Sequence, residues 1–538
     1  MAATATAPAP TEHARSTAYR RFALRGYERM STLADHGSFK VAHVMVVRSQ
    51  IDELLKHLPH ALTLAKARLL GVRGTSVEEE RLGKWQKHIE EESNLPFDRF
   101  NQYPFFLRVW VDKANNNARL ILFSDKFVSD GMSGTVVLND LLAFASSLSL
   151  GASGLEKQKL EHPLRPSLYN MWLDNMFTGS LVKFWVNWFA KSGFKSEMKT
   201  FKPLLAPRKD QNAMSIPPKC NATSVLFADG SEANLKKIQA SCDREGVKIQ
   251  SALTVALLLG YYSTQPQPKA EPKTVATEAT KADSPQPQDE PELTPKDTTE
   301  KTKKTADATK KDTKKKDAAV TKPTSAAPFK LRMDTLIDMR RRVEYPVQEV
   351  QIGDYTTAYP VETFAHDGVA IDSVKFWDLA RANKKQLDKL LNSYSLPTPL
   401  VFADKNFAST TPAKFFEEVS LPHSTMADVT LANLGSYIHA TSHDFRAIDP
   451  KTKKPTTAKL TVESLYYSST APHLTSGASL FVTSVKALSF GIAHKYDDKV
   501  GRSLFANVVK LIESIGDIDQ DELLGDVVKR VVFEPKTV

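Results

Sequence analysis

The run Ile121-Leu122-Phe123-Ser124-Asp125-Lys126-Phe127-Val128-Ser129-Asp130-Gly131-Met132-Ser133 passes from an apolar strand through a polar corner to an Asp-Gly turn, and then into a helical pattern. Gly131 suits the tight backbone turn. Ser133 reads as the N-cap of a helix continuing over Thr135–Leu148, and no base adjoins it that would make it a nucleophile. Strand-to-helix corners of this kind project side chains into a crevice, so Asp125, Lys126, Asp130 and Ser133 are the first candidates for chemistry.

Upstream, Phe39–Arg48 reads as a strand and Ile51–Lys66 as a helix, with apolar residues Ile51, Leu54, Leu55, Leu58 and Leu62 near the helical period. Phe105–Asp112 and Arg119–Phe123, parted by Asn115, Asn116 and Asn117, read as a hairpin. Downstream come a strand Thr223–Ala228, a helix Ser231–Glu245 with Ser231 as N-cap, and a strongly apolar helix Ser251–Tyr262. Between 264 and 328 aromatic residues vanish and Pro, Thr, Lys, Asp and Glu dominate. Such a composition buries too little apolar surface to offset its ordering entropy, so disorder is expected. Its lysines between 301 and 316 alternate with aspartates, a pattern that ordinarily stays solvated. Beyond it the mixture repeats: strands at Phe329–Met339, Val429–Asn433, Ser436–Thr441, Leu480–Ser484 and Leu488–His494, and helices at Ser373–Leu391 and Val500–Ser514. The expected division is a disordered 1–15, a folded 16–263, the linker 264–328 and a folded 329–538. With no Gly-rich phosphate loop, the mixture points to an α+β fold.

Composition agrees. The 538 residues are 41% hydrophobic and 25% charged, enough to bury a real core, and the formal net charge of +10 is spread thinly, so nucleic acid is not an expected partner. Two cysteines exclude a disulfide scaffold and any cysteine-based metal centre, and no His/Asp/Glu spacing suggests a metal site of another kind. The N-terminal residues lack a secretory pattern and no apolar run reaches membrane-spanning length, so a soluble, cytoplasmic protein is expected.

The strand, the Asp-Gly and the helix after it resemble the His-His-x-x-x-Asp-Gly segment of the CoA-dependent acyltransferase superfamily, which includes condensation domains and alcohol O-acetyltransferases. Further segments resemble that family in matching order: Arg25-Gly26-Tyr27-Glu28-Arg29 with Phe39–Val47, Asn94-Leu95-Pro96-Phe97-Asp98 with Phe105–Trp110, Asp338-Met339-Arg340, Phe376-Trp377-Asp378-Leu379-Ala380-Arg381, and Asn433-Leu434-Gly435-Ser436. The resemblance implies two similar chloramphenicol-acetyltransferase-like lobes around a central channel. It also implies acyl-CoA as co-substrate, a small alcohol or amine as acceptor, no metal, and a monomer. In the family an imidazole takes the acceptor's proton; here Asp125 and Lys126 occupy the two histidine positions. The family's Asp-Gly aspartate pairs with the arginine of Asp-x-Arg, which maps to Asp130 and Arg340, and its strand-end asparagine maps to Asn433, placed against the acceptor or the oxyanion. A non-catalytic relative that keeps the channel for binding or scaffolding fits the same substitution.

Lysine is a poor replacement for imidazole as a base. With an ordinary pKa it is only about one part in 2,500 deprotonated at pH 7, about 4.6 kcal/mol from the base form. Burial would lower that barrier, whereas Asp125 and Asp130 beside it are expected to keep it charged. A charged Lys126 is suited to stabilising an oxyanion instead. Strand alternation would place Tyr437 and His439 on one face as substrate contacts, with His439 or His443 available to replace the missing imidazole. Finally, Trp172, Met176, Phe177, Leu181, Phe184, Trp185, Trp188 and Phe189 recur near helical spacing among Lys183, Lys191 and Lys195. That stripe reads either as a packing helix or as a membrane-interface helix or lid.

Overall fold

The computed structural model describes residues 24–28, 39–69, 72–79, 84–95, 97, 104–153, 155, 167–171, 180–208, 223–265, 327–343, 347–348, 350–393, 396–406, 425–470 and 475–534. The expectations for 1–15, for most of the linker, and for Trp172, Met176 and Phe177 fall outside these residues.

The first strand, β1 (Lys40–Arg48, KVAHVMVVR), is buried along nearly its whole length, as a near-continuous apolar run dictates for a strand covered on both faces. It lies inside a six-stranded sheet with β2 (Val72–Glu79), β3 (Phe105–Asp112) and β4 (Asn117–Asp125), and β3 and β4 pair antiparallel as the expected hairpin. The same sheet is completed from the far end of the chain by β9 (Ser442–Ile448) and β10 (Pro455–Ser469), in the order β2-β3-β4-β1-β10-β9. Val44 of β1 therefore faces Ile121 on one side and Tyr466 on the other. The second six-stranded sheet mirrors the exchange. It takes β5 (Ser224–Asp229) from before the linker and joins it to β6 (Met333–Asp338), β7 (Thr356–Pro360), β8 (Thr425–Ser436), β11 (Thr475–Ser484) and β12 (Leu488–His494), in the order β5-β12-β11-β8-β6-β7. The two sheets with their helices are the two lobes of a mixed α/β fold, and each contains strands from both sides of the linker.

Outer faces of the sheets are covered by helices. Ile51–Leu69 and Gly131–Ser149 pack on the first sheet through Leu54, Leu58, Leu138 and Leu142. Ile249–Thr264, Phe376–Leu391 and Asp498–Glu513 pack on the second through Leu257, Trp377 and Val508. The first of these three is buried almost all round, as its unbroken apolar sequence requires, and it extends through Thr264. The inner faces meet through Val41 and Tyr467 of one sheet and Ala432, Phe481 and Ala493 of the other.

Several local expectations are corrected. Val429–Asn433 is part of one long strand, β8, and 436–441 is not a strand of its own. Gly435 adopts φ +75° and Asn433 Oδ1 accepts a hydrogen bond from its N–H at 3.0 Å, so β8 stops at Ser436. The strand expected over Phe329–Met339 narrows to Met333–Asp338, with Phe329 in an isolated bridge to Val369. Ser231 occupies the N-cap position of Glu232–Arg244 but makes no side-chain capping bond.

Candidate functional site

β4 ends at Asp125, and the chain makes a single 3₁₀ turn, Lys126–Val128, before the helix Gly131–Ser149. Asp125 Oδ1 accepts from Phe127 N at 3.4 Å, and Lys126 N donates to Phe39 O at 2.8 Å, so the backbone of the corner is fixed on both sides. The Lys126 side chain reaches the start of β7 and the residues just before it. Its Nζ lies 3.3 Å from Asp354 Oδ1 and 3.3 Å from Thr356 Oγ1, and Thr356 Oγ1 donates to that same carboxylate oxygen at 2.7 Å.

The charge state of Lys126 follows from competing effects. Burial favours the neutral amine, but the nearby Asp354, Tyr467 and Asp130 outweigh it and raise the ammonium well above the ordinary lysine range. Lys126 therefore stays charged at neutral pH, held chiefly by Asp354 and in part by Asp130; the sequence expectation had credited Asp125 with part of that work. Asp354 itself is pushed up by burial and by the like charge of Asp130, against the lowering effect of Lys126 and Thr356. Its side chain is 1% exposed, and Oδ2 has no hydrogen-bond partner.

Asp130, not Ser133, caps the helix: its Oδ1 accepts from Ser133 N at 2.9 Å. The carboxylate is wholly buried and meets Arg340 bidentately, Nη1 to Oδ2 at 2.7 Å and Nη2 to Oδ1 at 2.8 Å. Tyr355 N adds a bond to Oδ2 at 3.0 Å. Burial alone would raise this carboxyl, but the arginine beside it prevails and holds it far below the usual range. Ser133 Oγ accepts from Arg340 Nη2 at 3.0 Å and from Gly353 N at 3.1 Å. Gly353 and Tyr355, the two neighbours of Asp354, are thus both tied to the Asp130–Arg340–Ser133 cluster. What looks like a structural brace also sets where Asp354 sits against Lys126.

A histidine does stand at this corner, on β1, a strand that the motif reading includes without singling out its imidazole. His43 of β1 is fully buried, and its Nε2 donates to Gly131 O at 2.8 Å, because a carbonyl can only accept. Its Nδ1 has no partner, and burial pushes the ring down to about 4, so it is a neutral imidazole. The ring rests against Tyr467 at 4.9 Å, and a Cβ on Gly134 would fall 2.2 Å from it. Gly134 is therefore the space in which the imidazole sits. Gly134→Ala is expected to lower stability by about 1–3 kcal/mol through overpacking, measured as a shift in the urea unfolding midpoint.

Lys126 and Asp354 line a cavity of about 530 Å³, within the size range of small-molecule sites. One wall is β6 and β8, through Asp334, Leu336 and Thr430; another is the helix Ser180–Thr200, through Ala190, Gly193 and Phe194. Asp334 also faces this space and is raised to about 6 by burial, against the effect of Arg332. Asn433, Ser133, Tyr437 and His439 are not among the lining residues. Asn433 turns back on Gly435, Ser133 belongs to the brace, and Tyr437 reaches Asn139 Oδ1 at 3.4 Å. Tyr437 and His439 lie beyond the end of β8, so alternation along a strand does not govern them, although their rings are 5.3 Å apart. Burial holds His443 below its ordinary range, and it stands on β9 away from the cavity wall. Asp354 and His43 are the residues that sequence reasoning missed.

No family model matches the chain, and no curated protein matches it. Among solved structures it is similar to the trichothecene 15-O-acetyltransferase from Fusarium sporotrichioides, at 11% identity and a TM-score of 0.58, over 91% of this chain and 95% of that one. It is also similar to the first condensation domain of the CDA synthetase, at 9% identity and a TM-score of 0.55, over 95% of this chain and 99% of that one. At such identities the likeness is one of fold: this chain has the two-lobed, chloramphenicol-acetyltransferase-like fold that the acetyltransferase and the condensation domain share.

Proposed function

We propose that this chain transfers an acyl group from a thioester, acyl-CoA, to a small alcohol or amine, and that the Lys126–Asp354 pair does the work of the absent imidazole. The observation that carries this reading is the ion pair inside the cavity, with one carboxylate oxygen unengaged. The ionised Asp354 takes the proton from the acceptor hydroxyl as its oxygen attacks the thioester carbonyl carbon. The charged Lys126 stabilises the oxyanion of the tetrahedral intermediate. Collapse of the intermediate breaks the carbon–sulfur bond, and the leaving thiolate recovers the proton from Asp354. Base and electrophile are then separate groups, and the raised carboxyl of Asp354 makes it a stronger base than an ordinary aspartate.

The test is thiol release from acetyl-CoA by the purified full chain in the presence of a medium-chain alcohol or amine. Lys126→Met, which keeps the length and removes the charge, is expected to lower kcat by about 10²–10³-fold, the usual effect of losing one oxyanion donor. Unchanged turnover in that variant would remove Lys126 from the chemistry. The second reading, a non-catalytic binding protein, is favoured by one observation: the residue at the family's base position is held protonated. It predicts no thiol release from wild type, with acyl-CoA binding retained in calorimetry.

A further inference from the structure

The helix Ser180–Thr200 has two faces of opposite character. Its inner face is anchored: Phe194 packs on Phe402 at 5.2 Å, Asn187 Oδ1 accepts from Asn406 Nδ2 at 2.7 Å, and Met198 is buried. Its outer face carries the larger apolar side chains. Leu181 is 67% exposed, Phe184 58%, Trp185 48%, Trp188 51% and Phe189 63%. The four aromatic rings lie on one another, Trp188 against Phe189 at 5.0 Å and Trp185 against Trp188 at 5.9 Å, and form one patch on the surface. Of the two sequence readings of this stripe, packing describes the inner face and not the outer one. A contiguous exposed apolar patch marks a surface that meets something.

Charge decides what it meets. Along the helix stand Lys191, Lys195 and Lys199, with Lys183 turned onto the buried Tyr169 ring at 5.6 Å, against the single acid Glu197, and Arg332 holds that acid, Nη1 to Oε2 at 2.5 Å. Aromatic and aliphatic side chains on one face with lysines around them are the composition of a helix lying in the headgroup plane, where indole rings are at their most stable and ammonium groups meet phosphates. A second copy of this chain fits less well, because a symmetric contact would bring the same lysines face to face. Among the described residues no helix is long and apolar enough to cross a membrane, so the contact is one of lying on the surface.

We propose that the outer face of Ser180–Thr200 docks this protein on the surface of an anionic phospholipid bilayer. The consequence for the cavity follows from the same helix. Gly193 is exposed, lines the cavity, and has nothing within 4 Å of where a Cβ would stand. The cavity wall therefore comes to the surface at Gly193, on the helix that carries the patch.

The experiment is co-sedimentation of the full chain with large unilamellar vesicles, phosphatidylcholine alone or with about 30% phosphatidylserine, comparing wild type with Trp185→Ser/Trp188→Ser/Phe189→Ser. All three positions are exposed, so the variant should fold, and its circular dichroism and unfolding midpoint are measured alongside. Wild type is expected to bind the anionic vesicles with a blue shift in tryptophan emission and to be released by salt. The triple variant should bind at least tenfold more weakly, since it removes three large apolar side chains from the contact. Equal binding by a folded variant would assign the membrane contact to another segment, such as the lysine-rich 301–316, and overturn the proposal. So would absence of wild-type binding, or concentration-dependent self-association abolished by the same three substitutions. None of these readouts requires acyl transfer, so failure here leaves that reading standing, and the converse also holds.

Discussion

Arg340→Met is expected to destabilise the protein by about 3–5 kcal/mol, the cost typical of removing one partner from a buried ion pair. The guanidinium is 3% exposed on its side chain and makes both of its forked bonds to a carboxylate that is 0% exposed. Methionine fills much of the same volume, so the loss is electrostatic: Asp130 is left in the interior with Ser133 N and Oγ, Tyr355 N and the start of the helix as its remaining support. The sign with pH is specific. In wild type the folded-state pKa of Asp130 is depressed, so its contribution is complete above the unfolded value, about 3.9, and is lost only as pH falls through the lower folded value. In the variant burial raises that carboxyl instead, and protonation then relieves the fold. The gap between the two urea midpoints should be widest near pH 7 and narrow toward pH 4. Adding Asp130→Asn to the variant should recover part of the loss, because an amide is cheaper to bury than an unpaired carboxylate. A single variant within about 1 kcal/mol of wild type would show that the brace is not what holds the corner.

The sequence carried the local information well. β1, the hairpin β3–β4 and the helices after Gly131 and before Ser514 follow from apolar periodicity and turn residues, because each is decided by neighbours along the chain. What it did not carry is the exchange between sheets. β10 begins with the polar run Pro455–Lys459 and turns apolar only where it reaches β1, a pairing separated by hundreds of residues, so nothing nearby announces it. The site divides in the same way. Lys126, Asp130 and Arg340 stood out through short motifs whose order resembled a known family. Asp354 did not, since Gly353-Asp354 in isolation is an ordinary turn; its importance comes from a partner 228 residues away. His43 was hidden for the opposite reason. An imidazole within an apolar strand looks like core, and it is core: its neutral ring fastens Gly131 and fills the space above Gly134. Tyr437 and His439 were placed on a strand by alternation, but one left-handed glycine ends that strand before reaching them.

Asp354→Asn is expected to reduce thiol release from acetyl-CoA by about 10²–10⁴-fold, the range associated with a positioned general base. The substitution changes little else. An amide oxygen still accepts from Lys126 and Thr356, and Gly353 and Tyr355 stay bonded to the brace, so the cavity keeps its shape. What disappears is the capacity to take a proton. The pH profile separates this role from a merely positional one. With its pKa raised by burial, Asp354 loses its charge at a pH above the ordinary carboxylate range, so wild-type kcat should fall on the acid side through that raised value. In the variant that acid limb should vanish. The variant should also change the lysine: without the Asp354 charge, burial acts on Lys126 with only Asp130 and Tyr467 opposing it, and its pKa moves down. Residual turnover that climbs with pH in Asp354→Asn, and is abolished by adding Lys126→Met, would therefore be the lysine working as a weak base in the position its relatives give to histidine. If the variant retains more than a third of wild-type turnover, or keeps the acid limb unchanged, the base is some other group and the division of labour between Asp354 and Lys126 is wrong.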